Sequence, residues 1–467
     1  MLQAVQEIRK TLGEDSVSTD DEILLAHGYS EWSTVNVDRL PVAVVFPQNT
    51  EEVSKIAKIC SKYSVPIIPF SGGSSVEGHF SAPYGGVSVD FSYMNRIVEF
   101  HAEDMDVQVQ PGLSWMDLNK EIEHSGLFFP VDPGPSATID ISQAQIGGMV
   151  GTNCSGTNAV RYGTMKDWVV NLTVVLADGT IVKTKRRPRK SSAGYNLNSL
   201  FVGSEGTLGL VTEATLKLAP LPTHTGVAVV AFPTIAVAAK MAVEVIQKGV
   251  VVGAIEILDD VMMKVINTIG ATGRTWKEQP TLFIKFTGDE EMVEHSINRV
   301  RCIAEKYGSP HMEFEIDKEK QEELWSARKE ALWSMLALRK SGNDTWTTDI
   351  AVPLSRIAEL IELSKKDLAQ TGLFGSILGH VGDGNFHQVI LYDGDAERVR
   401  VEKCAKDMVY RALEMEGTCT GEHGVGLGKI ESLQAELGDV PITIMKNIKR
   451  SLDPQWLMNP GKIFHRE

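Results

Sequence analysis

The chain has 467 residues and a formal net charge of −15, a length that suits two or more domains with real interiors. The acidic balance argues against nucleic acid or an anionic membrane as the main partner, since both require clustered Lys and Arg. No apolar run approaches the roughly 20 residues of a membrane span.

The first half of the chain predicts alternating helices and short strands. Residues 47–52, which offer a capping side chain followed by acidic residues, predict the start of a helix that ends near Tyr63. An extended run at 65–70 then leads into a glycine- and hydroxyl-rich loop, residues 71–75. Further strands are predicted at 86–91, 95–100 and 105–110, a helix at 114–125, and two strands at 169–177 and 180–184 joined by a two-residue hairpin turn at Asp178-Gly179.

Phosphate-binding patterns of the common kinds are missing or incomplete. A Gly-x-Gly-x-x-Gly between a strand and a helix is absent, and the run 424–429 lacks both the first Gly and the final Ser/Thr of a P-loop. Two separate Gly/Ser loops, 71–75 and 147–156, could instead present backbone N–H groups to a pyrophosphate. Taken singly, each loop is more typical of a plain turn than of a ligand-binding loop.

The second half predicts an α+β domain built on an antiparallel sheet. Two prolines in Pro220-Leu221-Pro222 mark its beginning, because they stop any regular element. Before it, the basic run 183–190 suits a solvated loop, or alternatively a contact with an electron acceptor or phosphate. Helices are predicted near 234–248, 290–306, 317–340, 355–370 and 395–416, and strands near 227–231, 281–287 and 374–380.

Residues 380–387 predict a metal-binding hairpin. A two-residue turn at Asp383-Gly384 would place His380 opposite His387, roughly 4.5–5.5 Å apart at Cβ. Two imidazoles at that separation can share a metal ion, although two histidines on a solvated face are an equal alternative. Glu422 and His423, between glycines, offer a carboxylate and a third imidazole.

Arg328 lies on an otherwise apolar helical face with Leu324 and Leu332. A guanidinium in apolar surroundings needs an anion, because an unpaired buried charge is far more costly than a paired one. The anion could be a protein carboxylate or the carboxylate of a substrate held by two hydrogen bonds.

Several long motifs in fixed order resemble one flavoprotein family. Residues 69–78, 147–156 and 203–209 resemble the FAD-binding signatures of the vanillyl-alcohol-oxidase family. Residues 379–387, 417–424 and 459–462 are similar to those of its FAD-linked D-2-hydroxyacid dehydrogenases. The resemblance spans about residues 30–464. It implies a two-subdomain FAD-binding domain at 1–220, an α+β substrate (cap) domain with an antiparallel sheet at 221–440, and a C-terminal segment, 441–467, that returns to the FAD domain.

The resemblance also implies non-covalent FAD, because Ser74 stands where covalent-flavin relatives carry His. One departure is a seven-residue insertion, Asp140 to Ile146, before the second flavin loop. The residues implied to contact FAD are Ser71, Gly72, Gly73, Ser74, Ser75, Gly78, Pro133, Gly147, Gly148, Thr152, Asn153, Gly156, Tyr162, Gly163, Glu205, Gly206, Gly209, Val211 and Asn459.

The implied reaction is oxidation of a small D-2-hydroxy acid such as D-lactate to the 2-oxo acid. Arg328 would hold the carboxylate, a divalent Zn or Mn on His380, His387 and Glu422 would acidify the hydroxyl, and His423 would take its proton.

Two alternatives are a D-2-hydroxyglutarate dehydrogenase and a non-catalytic subunit like some glycolate oxidase components. Relatives acting on D-2-hydroxyglutarate carry Lys two residues before the Asp that corresponds to Asp349, where this chain has Thr347. The resemblance further implies cytochrome c or a similar acceptor, a possible homodimer and a mitochondrial location. The N-terminus itself shows no secretory signal or transit peptide, which otherwise suits a cytoplasmic protein.

Overall fold

The computed structural model describes residues 1–134, 144–340 and 343–466, with only the backbone at 343. The chain forms two compact units. The first comprises Met1–Ser155, Gly163–Leu221 and the chain from Glu422 onward; the second comprises Gly156–Tyr162 and Pro222–Gly421. Residues 422–440 therefore belong to the first unit, whereas the sequence-based division placed them in the substrate domain.

Local sequence signals account for many elements up to residue 221. The side chain of Asn49 accepts a hydrogen bond from the N–H of Glu52, so the predicted helix begins at Thr50, and it ends at Lys62. The helices are α1 Leu2–Leu12, α2 Asp21–Ala26, α3 Thr50–Lys62, α4 Trp115–Ile122, α5 Ile146–Thr152, α6 Ala159–Tyr162, α7 Met165–Trp168 and α8 Asn198–Phe201. The strands are β1 Val17–Ser18, β2 Ala43–Val45, β3 Ile67–Phe70, β4 Val87–Asp90, β5 Ile97–His101, β6 Asp106–Val109, β7 Leu127–Phe128, β8 Val169–Val175, β9 Ile181–Lys183, β10 Leu210–Lys217 and β11 Ala219–Pro220.

Two larger sheets and the two-stranded sheet β7-β11 form the first unit, and the two larger sheets agree with the predicted two-subdomain architecture. One has the order β1-β2-β4-β3, with β4 parallel to both β2 and β3. The other is antiparallel, in the order β5-β6-β10-β8-β9. Each sheet has its own apolar core.

The hairpin between β8 and β9 differs from its prediction. Leu176 donates its N–H to the carbonyl of Thr180, so the loop contains three residues rather than two. Only Gly179 within it has a positive φ, of 83°. A two-residue type I′ turn would require positive φ at both central residues, and Asp178 does not adopt it.

The second unit is an antiparallel sheet covered by helices, so the predicted α+β class is confirmed. Its strands follow the order β15-β12-β14-β13-β18-β19-β16, and β17 pairs with β19. The strands are β12 His224–Ala231, β13 Ala254–Leu258, β14 Thr281–Gly288, β15 Met312–Glu315, β16 Asn343–Thr347, β17 Ile350–Ala351, β18 Phe374–Gly379 and β19 Asn385–Asp393. The helices are α9 Ile235–Gln247, α10 Asp260–Ile269, α11 Glu290–Lys306, α12 Lys318–Ala337, α13 Ile357–Thr371 and α14 Gly394–Glu414.

The C-terminal part of the chain completes the first unit. It contributes α15 Ile430–Leu437 and α16 Asp439–Leu452. Beyond them, Met458 pairs in parallel with Ile67 of β3 and so extends that sheet. Across the described residues, no helix is both long and apolar enough to cross a bilayer.

Candidate active site

The first glycine-rich loop follows β3 in the first unit, as expected. Gly73 has a φ of 63°, a conformation that favours glycine. A Cβ on Gly206 would lie 2.3 Å from Pro69 Cγ, so the 203–209 motif must carry glycine there to pack against the start of the loop. The two motifs are therefore neighbours in space.

The second glycine-rich run forms the short helix α5 and the turn after it. A Cβ on Gly148 would meet nothing closer than Ser71 Cβ at 3.9 Å, and one on Gly151 nothing closer than Glu205 Cα at 4.0 Å. Gly148 therefore lies beside Ser71 of the first loop, and Gly151 lies beside the 203–209 motif. Ser155, at the end of this run, donates a hydrogen bond to Glu422 Oε2 over 2.6 Å.

Most residues expected to contact FAD lie in the first unit, but Gly156 and Tyr162 lie in the second. The side chain of Glu205 is already engaged by groups of the protein: His79 Nε2 lies 3.2 Å from one carboxylate oxygen, and backbone N–H groups at 425 and 426 bind the carboxylate. Residues 140–143 of the predicted insertion lie outside the described residues, which resume at Ala144.

The turn that carries His380 and His387 was predicted incorrectly. Val381–Asp383 form a single 3-10 turn, and His387 faces Leu378 rather than His380. The cause is tertiary packing, because the backbone at Gly382 approaches Ile255 so closely that a Cβ would lie 2.2 Å from Cγ2 of that residue. The two imidazoles are nevertheless neighbours, with ring centroids 5.6 Å apart.

Arg328 has a protein carboxylate as its partner, one of the two alternatives that its sequence left open. Its Nε donates to Glu256 Oε2 over 2.8 Å, and Oε1 of the same carboxylate lies 2.8 Å from His380 Nδ1. Burial by itself would raise the pKa of Glu256, but His380 and Arg328 outweigh that effect and hold the pKa below its ordinary value. Glu256 is therefore an anion shared between an arginine and an imidazole.

His387 is oriented by the strand segment before β17. Its Nδ1 donates to the carbonyl of Thr348 over 3.0 Å and lies 3.7 Å from Asp349 Oδ1. The other oxygen of Asp349 accepts the N–H of Gly421 over 2.8 Å. Glu422 is the next residue along the chain, at the point where the chain re-enters the first unit.

The basic run at 183–190 is partly explained by structural contacts. Arg187 Nη1 lies 2.6 Å from Asp104 Oδ2 and 3.1 Å from Asp106 Oδ2. Arg189 donates to main-chain carbonyls of the same turn. Arg187 and Arg189 of the basic run therefore attach the run to residues 104–106.

Two family models match the chain. The model described as FAD linked oxidases, C-terminal domain, matches residues 221–463, and the model described as FAD binding domain matches residues 41–185. The chain belongs to the FAD-linked oxidases.

Full-length relatives narrow the class further. The chain is 48% identical to the mitochondrial D-lactate dehydrogenase (cytochrome) of Kluyveromyces lactis, over 99% of this chain and 81% of the relative. It is 47% identical to the protein of the same name from Arabidopsis thaliana, over 97% of this chain and 79% of the relative. The GlcD subunit of glycolate oxidase from Bacillus subtilis is 35% identical, over 94% and 92%. The resemblance inferred from the motifs is confirmed.

Solved structures agree with the fold. The chain superposes on p-cresol methylhydroxylase with a TM-score of 0.80 at 19% identity, covering 99% of this chain and 97% of the other. For 4-ethylphenol oxidase from Gulosibacter chungangensis the TM-score is 0.80 at 18% identity, covering 100% and 97%. Identities this low establish the fold alone.

Glu256 was missed by sequence reasoning. It is the only charged residue in β13, whose other members are Ala254, Ile255, Ile257 and Leu258, and every residue of the strand is buried. A lone carboxylate within an apolar strand needs a cation or hydrogen-bond donors, so this pattern could have identified it.

Proposed function

We propose that the protein oxidises D-lactate and related small D-2-hydroxy acids to 2-oxo acids, using FAD. The observation that carries the proposal is the hydrogen-bonded triad Arg328–Glu256–His380. Its one buried carboxylate orients both a cation for the substrate carboxylate and an imidazole suited to a metal. D-lactate dehydrogenase relatives at 47–48% identity over nearly the whole chain support the same reaction.

The first unit suits FAD. Loops 71–75 and 147–156 would hold its pyrophosphate, since both are rich in glycine and Gly148 of the second lies beside Ser71 of the first. Bound FAD would accept the hydride from the substrate carbon, so the redox step belongs to the cofactor. The protein would supply binding, orientation and proton transfer.

His380 and His387 suit a divalent metal such as Zn or Mn. Each imidazole has an acceptor at Nδ1, Glu256 for one and the Thr348 carbonyl for the other, and this places the lone pair on Nε2, the atom that would bind a metal. Glu422 would be the third ligand, since it directly follows the anchored Gly421. The ion would act as a Lewis acid toward the substrate hydroxyl.

Arg328 and His423 would complete the site. With Nε of Arg328 held by Glu256, the fork of its two terminal nitrogens would bind the substrate carboxylate. His423 would accept the hydroxyl proton, a role that contributes about 10²–10⁴-fold. The backbone just after His423 is held in place, because Val425 donates its N–H to Glu205 over 2.6 Å.

The electron acceptor and the location are inferred from the names of the relatives. Cytochrome c or a similar protein would reoxidise the flavin, and the protein would work in the mitochondrion; the names of the relatives give a cytochrome and a mitochondrial location for those proteins.

The deciding experiment is anaerobic mixing of the flavin-loaded protein with D-lactate while flavin absorbance is followed. Rapid bleaching supports the proposal, whereas bleaching by D-2-hydroxyglutarate alone favours the longer substrate, and no bleaching by any 2-hydroxy acid favours a non-catalytic subunit. His423→Ala should retain the yellow flavin and lose reduction by D-lactate. Normal reduction in that variant would remove His423 from the reaction.

A further inference from the structure

A buried histidine connects the first flavin loop to a distant part of the same unit. His79 Nδ1 is hydrogen-bonded to Ser75 Oγ, and its Nε2 lies 3.2 Å from Glu205 Oε2. The side chain of His79 is 10% exposed and that of Glu205 is 3% exposed. The ring therefore spans two motifs, each of which resembles a flavin signature.

Glu205 extends this connection to the segment that carries His423. Its two carboxylate oxygens accept the N–H groups of Val425 and Gly426 over 2.6 and 2.8 Å. A side chain at Gly424 could not be accommodated, because its Cβ would lie 2.8 Å from both Glu205 Oε1 and His79 Nε2. The residue directly after His423 is thus packed against this histidine–carboxylate pair.

Other buried contacts hold the pair in place. Asn459 Nδ2 donates to the carbonyls of His79 and Glu205 over 3.0 and 2.7 Å. Lys462 Nζ donates to Asn459 Oδ1 over 3.0 Å. Main-chain contacts run in parallel, since Leu427 donates its N–H to the carbonyl of Glu77 in the loop that holds Ser75. Buried polar networks of this kind favour one arrangement of the segments they join.

We infer that His79 and Glu205 are positioning residues that fix the flavin loop 71–78 and the His423-bearing segment 422–427 in one register. Neither is assigned a contact with substrate. The inference rests on the proposed function for the roles of FAD and His423. A catalytic base displaced by about 1 Å from its productive position loses about 10²-fold in rate, so such a device has a measurable effect.

The test compares His79→Leu, His79→Gln and Glu205→Gln with a matched control, His101→Gln. His101 also pairs with a carboxylate in the first unit, with Nδ1 2.9 Å from Asp106 Oδ1, but it lies on β5. Three properties are measured on the flavin-loaded proteins: amide hydrogen exchange of peptides covering 71–78 and 422–427, visible circular dichroism of the flavin, and the rate and KM of flavin reduction by D-lactate.

We expect His79→Leu to increase exchange in both peptides, change the flavin dichroism and slow reduction about 10- to 100-fold with KM within twofold. His79→Gln should recover much of the effect, because its amide can accept from Ser75 and donate to Glu205. Glu205→Gln should increase exchange at 422–427, while His101→Gln should resemble the wild type.

Unchanged exchange at 422–427 in folded His79→Leu would overturn the inference, as would equal loss of rate in His79→Leu and His79→Gln with unaltered dichroism. If His79→Leu does not fold, Glu205→Gln applies the same test from the other side. If the wild-type flavin is not reduced by D-lactate, the proposed function fails, whereas exchange and dichroism need no substrate and still decide whether the segments are coupled.

Discussion

Replacing Glu256 by Gln changes the hydrogen bonds of the triad Arg328–Glu256–His380, although glutamine has the same shape as glutamate. An amide has one accepting and one donating end. If its oxygen stays on Arg328 Nε, its NH₂ group faces His380 Nδ1, which must then give up its proton. The proton moves to Nε2, the atom proposed to bind metal.

The expected loss follows from that change of tautomer. Partners that orient a metal-binding histidine are typically worth 10- to 100-fold in metal affinity, or about 1.4–2.7 kcal/mol. Glu256→Ala would be a poorer test, because it removes the buried carboxylate that Arg328 and His380 share. That loss would lower the free energy of unfolding by about 3–5 kcal/mol. The glutamine variant should therefore fold and bind metal weakly.

Metal content after dialysis against graded chelator, measured by mass spectrometry beside thermal unfolding, gives the result directly. The control is Glu313→Gln, which removes a carboxylate from an arginine pair in the same unit, with Arg274 Nη1 2.8 Å from Glu313 Oε1. The reasoning is refuted if Glu256→Gln retains metal as firmly as the wild type and the control.

Three further predictions concern other parts of the molecule. Arg328→Lys should raise KM for D-lactate about 10- to 100-fold with normal flavin content, because an ammonium cannot hold a carboxylate with two parallel hydrogen bonds; unchanged steady-state kinetics would exclude the arginine from the site. Burial, partly offset by Glu205, lowers the pKa of Lys462 to about 7, so between pH 7 and its ordinary value the unfolded chain binds more protons. The free energy of unfolding should then rise with pH in that window by up to about 1.4 kcal/mol per unit, and denaturant titrations should show a smaller rise in Lys462→Met. Gly206→Ala should lose FAD on gel filtration and unfold at a lower temperature, since its φ of 71° and its contact with Pro69 exclude a side chain; full flavin retention would contradict this.

Sequence patterns predicted the elements that are determined by residues close together in the sequence. The capping residue Asn49 directly precedes the thirteen-residue helix α3, the acidic first turn and the apolar stripe lie within it, and the helix begins and ends as expected. By contrast, β13 was missed, because a five-residue apolar run with one Glu has no period that distinguishes it from a helix.

In the candidate site, too, features set by neighbouring residues were predicted and features set by tertiary packing were not. The closeness of His380 and His387 was expected, but from a turn that the chain does not adopt, since packing of Gly382 against Ile255 decides the loop. The carboxylates that pair with Arg328 and His79, Glu256 and Glu205, lie far away in sequence, and no local pattern pairs such residues. Their residue types were visible in the sequence, but their pairing required the fold.

The discontinuity of the first unit affects how the protein matures. Leu457 and Asn459 hydrogen-bond to Ile67, so the strand that finishes this sheet is synthesised after the whole second unit. Contacts between such distant residues close late and carry a high loop-closure cost in chain entropy. We expect the N-terminal half to leave the ribosome with an open sheet edge, which makes it dependent on chaperones until translation ends. Because the His423 segment also belongs to this late part of the chain, we expect the first unit to complete its fold only after residues 422–459 have been synthesised.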